Sequence, residues 1–113
     1  MKILNKTQNT IIASSVVVAQ TILSRIVGLL NRPAIFANEA LIITECRSIH
    51  MFFMKFPIDA IFVDKNNVVV GLVHHIKPFQ LSPIFFKAKY VIELPVQTIL
   101  ETKTCLGDII DLQ

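Results

Sequence analysis

The chain has 113 residues, which is enough for one hydrophobic core and short of two ordinary domains, so we expect residues 1–113 to form a single domain. Hydrophobic residues make up 53% of the sequence and charged residues 17%, so the surface is expected to carry less charge than usual. The net charge is +3, from lysines and arginines spread singly along the chain, and there is one tyrosine and no tryptophan. This pattern does not favour nucleic acid as a partner, because nucleic-acid-binding surfaces combine a basic stripe with interleaved aromatic residues.

The first twenty residues permit two interpretations. Lys2 and Lys6, followed by an apolar stretch that ends at Val17-Val18-Ala19, are similar to a cleaved signal peptide of an exported protein. Two serines at 14–15 interrupt that stretch, and β-branched residues on either side of a turn favour a hairpin instead. Arg25 ends the apolar run before it reaches the length of a membrane span, so no span is expected.

The rest of the chain is predicted to consist of short strands with two helices. Apolar residues at helical spacing predict a helix near 20–31, which Pro33 ends, and Pro95 favours a short helix near 95–103. Strands are predicted at 40–44, 58–64, 68–76 and 89–94, with an Asn-rich turn at 65–67 and a last strand near the C-terminus. The sequence therefore predicts a mainly β (α+β) domain of roughly seven strands, a small antiparallel β barrel or half-barrel.

Several segments in order carry a resemblance to the domain-of-unknown-function family 192. They are SRIVGLLNRP, CRSIHMFFMKFPIDAIFVDKNNVVV, HIKPF, AKYVIELPVQTI and GDIIDL. The resemblance implies a compact β-rich barrel with short helices and no established molecular function. The positions that match the family pattern are Arg25, Gly28, Leu29, Cys46, Ser48, His50, Phe53, Met54, Pro57, Asp59, Asp64, Lys77, Pro78, Glu93, Leu94, Gly107 and Asp108.

The central segment contains the side chains that most resemble catalytic or metal-binding groups. Cys46, His50 and Asp59 would serve a hydrolase or transferase if they converged, but in a strand Cys46 and His50 lie about 13 Å apart. A metal site could use Cys46 and His50 with Asp59 or Asp64, whose types bind metal, although no close-spaced ligand pair exists. Asp64 has an available structural role in the turn that follows it, and the adjacent pair His74-His75 is expected to place one ring inward and one outward.

The two cysteines, Cys46 and Cys105, bear on the compartment. Two thiols without a Cys-x-x-Cys pair are typical of a reducing cytoplasm, so a cytoplasmic protein is expected, while export and a disulfide between the two residues stay open. We expect no bound metal and no cofactor.

These observations favour a non-enzymatic binding or accessory module over an enzyme or a metal-binding domain. Phenylalanine and methionine side chains predict an apolar cleft near the 46–59 segment that takes a peptide, a partner protein or a small-molecule ligand. The candidate binding residues are Arg47, His50, Phe53, Met54, Asp59 and Lys77.

Overall fold

The computed structural model of the chain describes residues 1–20, 34–52 and 54–113. In these residues the order of elements is β1 (Ile3–Asn5), β2 (Thr10–Ala13), β3 (Ser15–Ala19), β4 (Glu39–Thr44), β5 (Ile58–Asp64), β6 (Val69–Ile76), β7 (Ala88–Leu94), α1 (Thr98–Glu101) and β8 (Ile110–Leu112). The helix predicted near 20–31 lies outside the described residues. The helix predicted near 95–103 is present and shorter, and no described helix is long and apolar enough to cross a membrane.

The strands form two sheets, of order β2-β1-β8 and β3-β4-β7-β5-β6. The mainly β, α+β class predicted from the sequence is confirmed, while the described strands do not close into a barrel. One pairing differs from the expected antiparallel pattern, since β3 runs parallel to β4. Parallel neighbours need a long crossover connection, and residues 20–38 between these strands supply the length.

The N-terminal hairpin is confirmed, with β1 and β2 antiparallel and a turn between Asn5 and Thr10. Its second half continues into the larger sheet: β2 ends at Ala13, and β3 begins two residues later. The N–H groups of Ser14 and Ser15 both donate to the carbonyl of Asn38, at 3.0 Å each. The serines that interrupt the apolar run in the sequence therefore mark the point where the chain leaves one sheet for the other.

The middle of the larger sheet is buried on both faces, which explains the nearly continuous apolar sequence of β5. Side chains of β5 alternate as predicted, so that Ile58, Ala60 and Phe62 face a first core and Ile61 and Val63 face a second core. The first core is completed by residues that precede β5: Ile49, Met51, Met54 and Phe56. The second core is completed by residues of the smaller sheet and of α1: Ile3, Ile12, Ala13, Ile99 and Ile110.

Candidate functional site

Asp59 is 1% exposed, and its carboxylate is committed to the backbone of two other elements. Its Oδ1 atom accepts the N–H of His75 at 2.9 Å, and its Oδ2 atom accepts the N–H of Ile99 at 3.0 Å. Ile99 belongs to the second core, so the carboxylate points away from the first core and from the residues that precede β5. The contacts of Asp59 join β5, β6 and α1, and they are those of a structural residue.

The bonding partner of Asp59 lies in a β-bulge of β6. Ile58 pairs with Ile76 and Ala60 pairs with Val73, so two residues of β6 stand opposite Asp59 alone. His75 has a φ of 50°, in the left-handed region. Both His74 and His75 are consequently exposed, and the prediction that one ring faces inward is wrong because it assumed regular alternation.

Arg47 and His50 lie in an irregular segment that runs antiparallel to the loop before β7. The carbonyl of Arg47 accepts the N–H of Phe85 at 2.8 Å, and His50 forms an isolated bridge with Leu81. The carbonyl of Met51 accepts the N–H of Phe79 at 2.8 Å. These bonds hold residues 79–85 along residues 47–51 without a regular strand in either segment.

The other predicted binding residues are dispersed. Met54 is buried in the first core, whereas Lys77 is exposed at the beginning of the loop before β7. Phe53 lies outside the described residues. The structure therefore places Arg47, His50 and Lys77 along one pair of segments and directs Asp59 elsewhere, and a binding role for these residues stays a prediction.

Cys46 and Asp59, which the enzyme and metal alternatives need in one place, lie on different sides of β5. The thiol of Cys46 donates to the carbonyl of Ser48 at 3.0 Å, and both oxygens of Asp59 accept backbone N–H groups on the far side of β5. Among the described residues, no group of three or more His, Cys, Asp or Glu side chains is arranged to hold a metal ion. Cys46 and Cys105 are not joined by a disulfide.

Tyr90, a buried residue of β7, lies close to the turn that follows β5. Burial raises the pKa of the Tyr90 hydroxyl, and the negative charge of Asp64 adds to the effect. The Tyr90 hydroxyl donates to Oδ1 of Asn67 at 2.9 Å. Asp64 itself plays the role predicted for it, since its Oδ1 atom accepts the N–H groups of Asn66 and Val68, each at 2.9 Å.

Large apolar side chains are exposed along the 47–52 and 79–86 segments. Phe52 stacks on the ring of His50 at a centroid distance of 5.0 Å and is itself exposed. We call this surface the apolar ledge; its members are Phe52, Phe79, Leu81, Ile84 and Phe86. The sequence predicts an apolar cleft near the 46–59 segment; in the structure Met54 and Phe56 of that segment are buried in the first core, and Phe85 of the neighbouring loop is half-buried against it.

The ledge is anchored to the sheet by Phe85. The ring of Phe85 contacts the ring of Phe62 at a centroid distance of 4.5 Å and covers Gly71 of β6. A Cβ atom at residue 71 would lie 2.5 Å from atoms of the Phe85 ring, which is closer than any real contact. The glycine therefore lets Phe85 pack on the backbone of β6 while its neighbours Ile84 and Phe86 stay exposed.

A basic pocket lies where β5 ends and β7 begins, next to the ledge. Its volume is about 450 Å³, and we define it by its four cationic side chains: Arg47, Lys65, Lys87 and Lys89. Asp64, Asn66, Phe86 and Ala88 complete the lining. The sequence did not predict this pocket, because its cations are separated by as many as forty-two positions and meet through the pairing of β5 with β7 and the bond between Arg47 and Phe85.

Comparisons with known proteins agree on one family. A sequence model of the DUF192 family, described as an uncharacterized ACR, matches residues 3–112. The chain is similar to a UPF0127 protein of Thermococcus sibiricus, with 36% identity over 113 residues, which cover 96% of this chain and 73% of that protein. It is also similar to a UPF0127 protein of Pyrococcus horikoshii, with 34% identity over 82% of this chain and 83% of that protein.

The fold is shared with a protein of known structure. A crystal structure of a protein of unknown function from Novosphingobium aromaticivorans superposes with a TM-score of 0.83 at 18% identity. The match covers 99% of this chain and 84% of that one. At this identity the likeness shows a shared fold and does not indicate an activity.

Proposed function

This chain belongs to the DUF192 family of uncharacterised proteins, and we propose that it is a non-enzymatic binding module whose apolar ledge holds a segment of a partner protein. The observation that carries the proposal is the exposure of four large apolar side chains in one loop. Phe79, Leu81, Ile84 and Phe86 are 73%, 67%, 57% and 76% exposed. Contiguous exposed apolar surface costs solubility unless something covers it, and such surfaces mark interaction sites.

The backbone beneath the ledge supports the proposal because it is held in place before any partner arrives. The N–H groups of Phe79, Ser82 and Phe85 donate to carbonyls of the 47–51 segment at distances of 2.8–2.9 Å. In addition, the Ser82 hydroxyl accepts the N–H of Ile49 at 2.8 Å. A pre-ordered loop loses less conformational entropy on binding than a disordered one, which favours affinity.

Charge around the ledge indicates a partner segment with apolar and acidic residues. Lys77 and Lys87 are exposed at the two ends of the loop that carries Phe79 and Phe86, and Arg47 is exposed beside Phe85. Complementary charges around an apolar contact steer a partner and fix its register. A protein segment, rather than a small apolar molecule, matches this combination of several exposed apolar side chains in one loop with cations at the ends of that loop.

We also propose that the protein is cytoplasmic. Two cysteines without a disulfide accord with a reducing cytoplasm, and the partner protein would then be cytoplasmic as well.

The test is selection from a displayed library of short random peptides with the purified chain. We expect enriched peptides that combine apolar and acidic residues. The ledge variant Phe79→Asn/Leu81→Ser should bind them about tenfold more weakly or worse, because burying each large apolar side chain contributes about 1.5–3 kcal/mol. Asparagine is chosen at residue 79 because it tolerates the positive φ of 68° found there.

A matched control removes equal apolar exposure from another surface. Leu100 and Leu106 are 67% and 65% exposed and lie outside the ledge, so Leu100→Ser/Leu106→Ser should retain binding. The proposal fails if no peptide prefers the wild-type chain over the ledge variant, or if the control loses as much affinity. It also fails if the ledge binds phospholipid vesicles and no peptide.

A further inference from the structure

We propose that the basic pocket binds a small-molecule phosphate ester that carries two or more negative charges. The pocket gathers four of the eleven lysines and arginines of the chain around a volume of about 450 Å³, which lies within the range of small-molecule sites. Arg47 and Lys87 also flank the ledge, but this inference does not rest on the proposed function, because it needs the cations of the pocket and not the exposed side chains of Phe79, Leu81 and Ile84.

The pocket concentrates positive charge. Four cations and the carboxylate of Asp64 leave three positive charges in the pocket, and the net charge of the whole chain is +3. The pocket thus carries a local excess of positive charge, which attracts anions. Oδ1 of Asp64 accepts two backbone N–H groups of its own turn, so this carboxylate is already engaged.

A second carboxylate nearby does not neutralise the pocket. Glu45 forms an ion pair with Nζ of Lys89 at 2.6 Å, but the two side chains are 71% and 54% exposed. An ion pair so exposed to water contributes little to stability, and a ligand that carries several charges would displace it at small cost.

The three chain segments that supply the cations are hydrogen-bonded to one another. The carbonyl of Lys89 accepts the N–H of Cys46 at 3.2 Å, and Asp64 pairs with Ala88 across β5 and β7. Together with the bond from Phe85 to Arg47, these contacts fix the pocket from three sides. Binding therefore needs the ordering of side chains and no rearrangement of the backbone.

The residue types indicate phosphate rather than a single carboxylate. Three positive charges exceed what one carboxylate balances, and a planar guanidinium such as that of Arg47 donates two parallel bonds to a phosphate. Phe86 lines the same pocket with a ring that is 76% exposed. That ring is available to stack against a planar group of the ligand, so a ring-bearing diphosphate combines both contacts.

The experiment is calorimetric titration of the purified full chain with inorganic pyrophosphate and with ADP. We expect saturable binding of both that weakens as salt is added, with ADP bound about fivefold or more tightly than pyrophosphate through stacking. Lys87→Gln/Lys89→Gln should weaken both about tenfold or more, since each lost bond joins a charged donor to a charged acceptor. Phe86→Ala should reduce ADP binding and leave pyrophosphate binding unchanged.

Two controls separate this site from general electrostatics and from the ledge. Lys2→Gln/Lys103→Gln changes the net charge equally at two exposed lysines that do not line the pocket and should retain wild-type affinity. The ledge variant Phe79→Asn/Leu81→Ser should also retain it, so the two proposals fail independently. The inference is overturned if pyrophosphate does not saturate, if the lysine control weakens binding equally, or if ADP binds no better than pyrophosphate.

Discussion

Oδ1 of Asp59 accepts a hydrogen bond of 2.9 Å from the N–H of His75, a residue with a φ of 50°. The bulge at His75 turns this N–H away from the regular ladder, and the carboxylate supplies the acceptor that the ladder does not. A buried N–H without a partner costs about 1–3 kcal/mol, so the carboxylate of Asp59 stabilises the bulge at His75.

The first prediction is that Asp59→Asn lowers the free energy of unfolding by about 2 kcal/mol or more. An asparagine side chain has one acceptor oxygen, whereas Asp59 serves the N–H groups of both His75 and Ile99. Urea denaturation measures the change. The conservative control Asp111→Asn, at a half-buried site in β8, should change stability by less than about 0.5 kcal/mol. Wild-type stability of Asp59→Asn would contradict the structural role of this residue.

The second prediction is that Gly71→Ala lowers the free energy of unfolding by about 1–3 kcal/mol through crowding against Phe85. The cost should fall by at least about 0.5 kcal/mol when Phe85 is also replaced by alanine, because the added methyl group then meets open space. Urea denaturation of the wild type, the two single variants and the double variant completes the cycle.

Gly107 is the matched control for that cycle. Its φ is 89° and a Cβ atom there would meet nothing within 4 Å, so Gly107→Ala introduces backbone strain without crowding. Replacement of Phe85 should leave the cost of Gly107→Ala unchanged. Equal relief at both glycines would show that the effect does not come from the contact between Gly71 and Phe85.

Local patterns predicted most of the strands because the sequence expresses them within a few residues. The alternation of residues 58–64 predicted which side chains of β5 face each core. The Asn-rich turn after β5 predicted that the next strand, β6, pairs with it. The parallel pairing of β3 with β4 and the bulge at His75 could not be predicted in the same way. Both depend on contacts between segments that are distant in sequence.

In the candidate site, too, the local residues could be predicted from the sequence and their distant partners could not. The resemblance and the local chemistry singled out Asp59 as a polar residue of interest, but its partners are sixteen and forty positions away. The cations of the basic pocket are spread singly in the sequence and meet only after β5 and β7 pair. Spacing along the chain gives no measure of either arrangement, since each results from tertiary packing.

The third prediction concerns thiol reactivity. Cys105 is exposed, whereas Cys46 is half-buried and its thiol donates to the carbonyl of Ser48 at 3.0 Å. We expect Ellman's reagent to modify the native protein in two phases, of which the faster belongs to Cys105 because access limits attack on the other thiol. Cys105→Ser should remove the fast phase and Cys46→Ser the slow phase. Persistence of the fast phase in Cys105→Ser would contradict the assignment.

The fourth prediction concerns pH and the buried carboxyl group of Asp108. Burial by itself raises the pKa of this group, but hydrogen bonds from the Asn5 amide, the Cys105 N–H and the Gln8 amide outweigh it and lower the pKa below its ordinary value of 3.8. The bonds to the N-terminal turn span as many as 103 positions, so the carboxylate ties the first hairpin to the segment after α1.

Because the pKa of Asp108 is lower in the folded chain, the unfolded chain takes up its proton first as the pH falls. The stability that this carboxylate contributes is therefore complete above about pH 4 and is lost as the pH falls through the folded pKa. Asp108→Asn should be less stable than wild type at pH 7, and the difference should shrink below about pH 4. Urea denaturation at pH 7, 5, 4 and 3 measures this difference.

Thr104→Ala is the control, since it removes a neutral partner of Asn5 and should cost the same free energy of unfolding at every pH. A difference for Asp108→Asn that stays constant with pH would show that its charge does not contribute.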